Sequence, residues 1–199
     1  ALMRVDQQQA KALIEEINQD LGAEGFDPDK AILLGQDIPF YSGYKFFEIV
    51  DYDTVPNRHR FVVYKPDERH VLDWSNETIY KLNEIVPITL TEKNVADYAR
   101  FFFTYVRGRH GRFLLINTVD DIDWREEPPP AARKAISNLI HPIKILDQDE
   151  NGYTLESCII FKDGLFKAKI SVTNQGEVSL FDETLLIEEM PLLDDIFGQ

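Results

Sequence analysis

The chain of 199 residues contains one cysteine, Cys158, and none of the long apolar runs that cross membranes. A single thiol cannot form an intramolecular disulfide, and no charged region followed by an apolar region marks a secretory signal at the start. No apolar segment approaches the roughly 18 residues of a membrane span. We therefore expect a soluble, cytoplasmic protein that does not bind membranes.

Basic residues are also scarce, since 21 lysines and arginines face 35 aspartates and glutamates, which gives a formal charge of −14. Nucleic acid and acidic lipid are bound through clustered lysine and arginine, so an acidic chain disfavours both partners. Binding to nucleic acid would need Arg58, Arg60, Arg107, Arg109 and Arg112 to converge on one face. The charge favours another protein or a small ligand as the partner.

The sequence lacks the short motifs that hold nucleotides, catalytic zinc, a nucleophilic serine or paired redox cysteines. None of its four histidines lies at metal-ligand spacing, and His59, His70 and His141 are expected at surface or capping positions. Cys158 stands beside Ile159 in a β-patterned run without a neighbouring cation, which is typical of a buried structural thiol. We therefore expect neither a metal nor a cofactor.

The first part of the chain, residues 1–120, has the pattern of an α+β lobe. Apolar residues at helical spacing predict a helix over 5–21, and β-branched and aromatic runs predict strands over 44–52, 58–65 and 70–74. Two further helices are predicted over 76–86 and 95–106, followed by a central strand over 112–118. Residues 22–43 contain clustered Gly, Pro and Asp and are expected to be irregular.

The acidic segment 121–130, which contains three consecutive prolines, is the expected connector to a second lobe over 131–199. A helix comes first in that lobe, and turn signals then separate four β-patterned runs. We therefore predict an α+β fold, in which a helix and a four-stranded antiparallel meander follow an N-terminal lobe of helices on a small antiparallel sheet. The two lobes could share one continuous domain.

The helix of the second lobe carries an apolar stripe formed by Ala132, Ala135, Ile136, Leu139 and Ile140. We expect this stripe to pack on the alternating apolar face of the 166–172 run. A helix followed by such a meander resembles the cystatin-like or NTF2-like arrangement, in which a curved sheet wraps a helix. The resemblance covers element order over about a third of the chain and implies no particular function.

The segment 107–112 is the concentrated basic feature of the chain. Arg107, Arg109, His110 and Arg112 lie within six residues, and two glycines would let the backbone approach a ligand closely. Guanidinium groups and free backbone amides hold carboxylate or phosphate, so we predict an anion site here. The alternative is a helix C-terminus, where cations are favourable and Gly108 would be the left-handed cap.

The C-terminus is acidic and ends with apolar residues among aspartates. Such a segment can dock in the groove of a partner protein. We predict that the residues that carry this affinity contribute little to stability, and they are Leu192, Leu193, Asp194, Asp195, Ile196 and Phe197. The alternative is a last strand followed by a packed tail.

These observations favour a non-catalytic binding or protein-interaction module, whose partner is another protein or a small anionic ligand. The alternative is a hydrolase or isomerase that uses His110 and nearby carboxylates in a cleft between lobes. A strongly shifted pKa beside a large pocket would support that alternative.

Overall fold

The computed structural model describes residues 2–193, and within that range the chain forms four helices and ten strands. The helices are α1 (Gln7–Leu21), α2 (Asn76–Ile85), α3 (Val95–Tyr105) and α4 (Pro130–Ser137). The first sheet contains β1 (Met3–Arg4), β2 (Ile32–Asp37), β3 (Lys45–Asp51), β4 (Arg58–Lys65) and β5 (Glu68–Leu72). The second contains β6 (Leu114–Ile116), β7 (Lys144–Asp149), β8 (Gly152–Phe161), β9 (Gly164–Thr173) and β10 (Val178–Ile187). The predicted combination of helices with antiparallel sheets is confirmed.

The chain divides into two compact units, of which the first ends at Asp73 and the second begins at Trp74. Each unit contains one of the two sheets. The acidic, proline-rich segment 121–130, where the sequence predicts a lobe boundary, lies inside the second unit.

In the first unit, α1 covers one face of a sheet whose strands follow the order β1-β2-β3-β4-β5. The predicted helix is confirmed, and the Asp6 carboxylate caps it by accepting a hydrogen bond from the Gln8 amide at 3.2 Å. The buried apolar stripe of α1 meets side chains of the sheet in a cluster that contains Ala10, Ile14, Ile17, Leu33, Phe47, Ile49 and Val62. The apolar residues of α1, spaced at helical intervals, therefore form the face that packs against this sheet.

Strand β2 lies in the segment that the sequence analysis expected to be irregular. It pairs with β3 in a register that runs from Ile32↔Val50 to Asp37↔Lys45. A Cβ atom on Gly35 would lie 3.0 Å from a ring carbon of Phe47, its partner in β3, so the glycine makes room for the ring. The strand thus depends on its neighbour rather than on a β pattern of its own.

In the second unit, α2 and α3 are both fixed to the turn between β9 and β10. The buried Tyr98 of α3 donates a hydrogen bond to the Gly176 carbonyl at 2.5 Å, and burial raises the pKa of this phenol. Asn83 of α2 donates to the Tyr98 hydroxyl at 3.1 Å and to the Gln175 carbonyl at 3.3 Å. One polar network therefore positions both helices against the second sheet.

Strands β7 to β10 form the predicted four-stranded antiparallel meander. Strand β8 is central, because β9 pairs with all of one edge while β7 and β6 share the other. The sequence predicts a central strand over 112–118. The structure has the shorter strand β6 there, and β6 lies at an edge of the sheet, where it pairs with β8. Gly152 has a φ of +149° and its Cβ would lie 2.1 Å from the Val172 carbonyl oxygen, so glycine is required at this turn.

The expected packing of the helix before the meander is wrong. Helix α4 ends at Ser137, and Leu139 is 39% exposed. Ile136 and Ile140 instead join a cluster with Cys158, on the face of the sheet opposite to Ile170. The error arose because the sheet is apolar on both faces, and the pattern of one strand does not identify which face a helix will cover.

Candidate functional site

A cavity of about 740 Å³ lies in the second unit, between the connector from α3 to β6 and the segment that follows β10. Its apolar lining comes from β6, β8 and the two loops beside them, and consists of Leu114, Ile116, Ile122, Ile160, Met190, Leu192 and Leu193. Its charged lining consists of Arg107, Arg112, Arg125, Lys162, Asp121, Asp123, Asp163 and Glu189, together with His110. We call this cavity the hairpin pocket. It combines an apolar floor with charged groups, as pockets for small ligands do.

The basic segment forms a tight hairpin at one side of the hairpin pocket. The Gly108 amide donates to the Gly111 carbonyl at 2.8 Å, and the Gly111 amide donates back to Gly108 at 3.2 Å. Arg109 and His110 therefore occupy the exposed tip of a two-residue turn. Gly111 has the positive φ, at +121°, and Gly108 does not, so the left-handed cap that the helix-end alternative places at Gly108 is wrong.

The structure brings three of the four predicted anion-site residues to the hairpin pocket, namely Arg107, His110 and Arg112. Arg112 also donates to the Thr104 carbonyl at 2.6 Å, so it satisfies the C-terminal end of α3 as the capping alternative proposed. Its guanidinium carbon lies 5.8 Å from the centroid of the Trp74 ring. Arg109 is exposed and does not line the cavity.

Two cations of the hairpin pocket were missed by the sequence analysis. Arg125 follows the Val119–Asp121 helical turn, and Lys162 occupies the turn between β8 and β9 with a φ of +54°. Both side chains are exposed, and within residues 2–193 neither forms an ion pair. No sequence signal connects them with the hairpin, because the sheet alone brings these distant segments together.

The acidic side chains of the hairpin pocket have different surroundings. Asp121 is held by the backbone, because its carboxylate accepts hydrogen bonds from the Asn117 amide at 2.8 Å and the Thr118 amide at 3.1 Å. This carboxylate therefore closes a capping motif. Asp123 and Glu189 are exposed at the rim.

The segment 189–193 forms one wall of the hairpin pocket by pairing with the loop 121–125. The Arg125 amide donates to the Pro191 carbonyl at 2.9 Å, and the Leu193 amide donates to the Asp123 carbonyl at 3.0 Å. Leu192 is only 9% exposed and belongs to the core, so the expectation that it contributes little to stability is wrong.

Of the other residues of the predicted docking tail, the structure describes only Leu193. Leu193 is exposed, and its predicted role in partner binding stays a prediction. Asp194, Asp195, Ile196 and Phe197 lie outside the described residues, so their predicted role in partner binding stays a prediction.

A second polar cluster, in the first unit, ties α1 to the β4–β5 hairpin. Glu16 of α1 accepts hydrogen bonds from the Tyr64 hydroxyl at 2.7 Å and from Arg69 at 2.8 Å. Arg69 also donates to Asp20 at 2.5 Å. Burial, followed by the bond to Glu16, raises the pKa of Tyr64 to about 12. Arg69 pairs with both carboxylates and the Tyr64 hydroxyl donates to one of them, so each charged group of this cluster has a partner and we assign the cluster to stability.

The remaining candidates from the sequence do not form a site. Cys158 is buried, and its thiol lies 3.7 Å from the Leu139 carbonyl. His59 pairs with Glu48 at 2.6 Å and His70 with Glu68 at 3.1 Å, each at a partly buried position on the first sheet. His141 is exposed after α4. His59 and His70 belong to the first unit, and Cys158 and His141 belong to the second.

Across the described part of the chain, no helix is long and apolar enough to cross a membrane. In the same range, no group of three or more His, Cys, Asp or Glu side chains is positioned to hold a metal ion. In comparisons with known proteins, no protein-family model, no curated protein and no solved structure matches the chain.

Proposed function

We propose that the protein binds a small molecule with an anionic group and an apolar part in the hairpin pocket, without chemical conversion. The observation that carries the proposal is the convergence of cations from three separate segments around one cavity with an apolar floor. The volume of about 740 Å³ falls within the range of ligand pockets, roughly 300–1,000 Å³.

The local charge of the hairpin pocket supports an anionic ligand. Its lining has four lysine and arginine side chains against four carboxylates, whereas the whole chain carries a formal charge of −14. One of the carboxylates, on Asp121, already accepts two backbone amides. An anion is therefore repelled less in the pocket than elsewhere on this acidic surface, and Arg125 and Lys162 can pair with it.

The apolar floor supports a ligand that is more than a bare ion. Ile116, Ile122 and Ile160 are buried at the base of the cavity, and Met190 closes it from the C-terminal side. Burial of aliphatic ligand surface against these side chains contributes about 25 cal/mol per Å². A short-chain carboxylate or an alkyl phosphate has the required combination of chemistry.

The catalytic alternative receives less support from the geometry. His110 lies at the exposed tip of the hairpin, and the ion pairs formed by described histidines involve His59 and His70 instead. A general base requires a partner that orients the imidazole. Binding without conversion is therefore preferred over a hydrolase or isomerase that uses His110.

The cellular setting and the fold likeness add little to the choice of ligand. Cys158 is a buried free thiol, and we propose a reducing compartment such as the cytoplasm on that basis. The cystatin-like or NTF2-like element order stays a proposal for α4 and β7 to β10. Those arrangements host many functions, so they select no ligand class.

The test uses three ligands with the same tail, octanoate, octanol and octylammonium, in calorimetric titrations. We expect octanoate to bind more tightly than octanol, and Arg125→Gln to weaken octanoate about twofold to fivefold, since Arg125 is exposed and an exposed ion pair contributes about 0.2–1 kcal/mol. Octanol should be unaffected. Lys134→Gln is the matched control, because Lys134 is exposed in the same unit and does not line the cavity. Equal octanoate affinities in the two variants would refute the proposal.

A further inference from the structure

A second cavity, of about 440 Å³, lies in the same unit on the other face of the sheet. Its floor is formed by alternating residues of β8, β9 and β10, with Phe113 at one end. The apolar side chains of the floor are Ile159, Phe161, Phe166, Ala168, Leu180 and Leu185. We call this cavity the sheet groove. Its floor lies on the opposite face of the sheet, since Ile160 faces the hairpin pocket while Ile159 and Phe161 point the other way. The two cavities meet only at the β8–β9 turn, where Lys162 and Asp163 line the rims of both.

The sheet groove leaves apolar surface accessible to solvent. Leu185 is 48% exposed, and Phe161 and Phe166 are half-buried. The pairing of β10 with β9 is irregular along this groove, with register shifts between Phe181 and Thr184 and between Leu185 and Ile187. A ligand that covers this contiguous apolar surface removes it from water, which favours binding.

The rim of the sheet groove is acidic. Glu183, Glu188 and Asp163 line it, with Lys162 as the single cation. Glu183 and Glu188 are both exposed, and in the described range neither forms an ion pair. The Lys162 ammonium lies 5.5 Å from the centroid of the Phe161 ring. The excess of carboxylates at the mouth of an apolar cavity defines the charge that a complementary ligand must have.

We propose that the sheet groove binds an amphiphilic cation, with its apolar tail on the β8–β10 floor and its ammonium group between Glu183 and Glu188. The volume of about 440 Å³ falls within the roughly 300–1,000 Å³ range of small-molecule pockets, so we take a small molecule rather than a second protein as the occupant. This ligand class differs from that of the hairpin pocket in the sign of its charge, so the two proposals stand separately.

The experiment uses octylammonium, octanol and octanoate as probes, titrated into the full chain. We expect octylammonium to bind about threefold to tenfold more tightly than octanol, because two exposed carboxylates each contribute a modest attraction. Glu183→Gln combined with Glu188→Gln should bring octylammonium to within about twofold of octanol and leave octanol unchanged. The matched control is Glu150→Gln with Glu177→Gln, which removes the same charge at exposed positions outside both cavities.

A second variant tests where the octyl chain of the ligand binds. Leu185 is exposed, so we expect Leu185→Gln to keep the fold. The substitution should weaken the binding of both octylammonium and octanol about threefold or more, because it removes apolar surface from the groove floor. Amide chemical shifts in β9 and β10 should move on titration with octylammonium. The proposal is overturned if octylammonium binds no more tightly than octanol, or if the Glu183 and Glu188 variant matches its control.

Two further outcomes separate this proposal from others. Arg125→Gln should change octanoate affinity alone, so failure at the hairpin pocket leaves octylammonium binding intact and the reverse also holds. Sedimentation measures whether a second copy covers the groove. A dimer that Leu185→Gln dissociates would overturn the small-molecule proposal.

Discussion

Glu68 shows how a single side chain can be controlled by its neighbours. Its carboxylate accepts hydrogen bonds from the Tyr44 hydroxyl and from His70 at 3.1 Å, and the Lys65 ammonium lies 3.1 Å away. These bonds, that of Tyr44 first, lower the pKa of Glu68 to about 2. The charged form is therefore favoured in the folded state, first by Tyr44 just before β3 and then by Lys65 and His70 of the β4–β5 hairpin.

The lowered pKa of Glu68 predicts an acid-dependent loss of stability. Because the folded pKa lies below the unfolded value of about 4.3, the stabilisation is present above pH 4.3 and disappears as pH falls toward about 2. Tyr44→Phe removes the largest cause, so its melting temperature should fall less steeply than that of the wild type between these pH values. Thermal melts at half-unit intervals measure both slopes. Parallel curves would show that Tyr44 does not control this carboxylate.

At the level of elements, hydrophobic periodicity predicted the helices and strands whose buried face can be recognised from their own residues. Helix α1, the hairpins of the first sheet and the β7–β10 meander follow from helical spacing, strand alternation and glycine turns. Strand β2 did not, since Gly35 and Gln36 interrupt its apolar residues and its order comes from pairing with β3. Tertiary pairing overrides local propensity at such positions.

The candidate site divides in the same way. The hairpin residues Arg107, His110 and Arg112 were identified because they are clustered in sequence. Arg125 and Lys162 were not found, because their proximity to the hairpin arises from the pairing of β6 with β8 and of the loop 121–125 with the segment 189–193. These two pairings join segments that are distant in sequence, so no local sequence pattern predicts them.

The connection after α4 provides a test of the corrected packing. Ile140 is buried beside Cys158, whereas Leu139 one position earlier is 39% exposed. We expect Ile140→Ala to lower the free energy of unfolding by about 2–4 kcal/mol, since it removes buried methylene groups and leaves a cavity. Leu139→Ala should cost less than about 1 kcal/mol. Urea denaturation of the two variants measures the difference, and a larger cost at Leu139 would restore the helix register expected from the sequence.

At the scale of the whole molecule, the charge of −14 acts on every part of the fold. Many of the ion pairs, such as Lys11 with Asp29 and Lys169 with Asp182, have largely exposed carboxylates, so each contributes little. Repulsion among the excess carboxylates is spread over the surface and opposes the compact state. The balance of these two effects sets the response of the protein to salt.

We expect the repulsion to dominate, so that salt stabilises the protein at neutral pH. Raising NaCl from about 20 mM to about 300 mM shortens the screening length from about 20 Å to about 6 Å, which weakens repulsion between distant charges more than attraction within close pairs. Glu150→Gln with Glu177→Gln changes the formal charge from −14 to −12 and removes no ion pair of the described residues. This variant should melt about 1–2 °C higher than the wild type at low salt and respond less to added salt. A melting temperature that falls with NaCl would mean that the ion pairs, rather than the net charge, control stability.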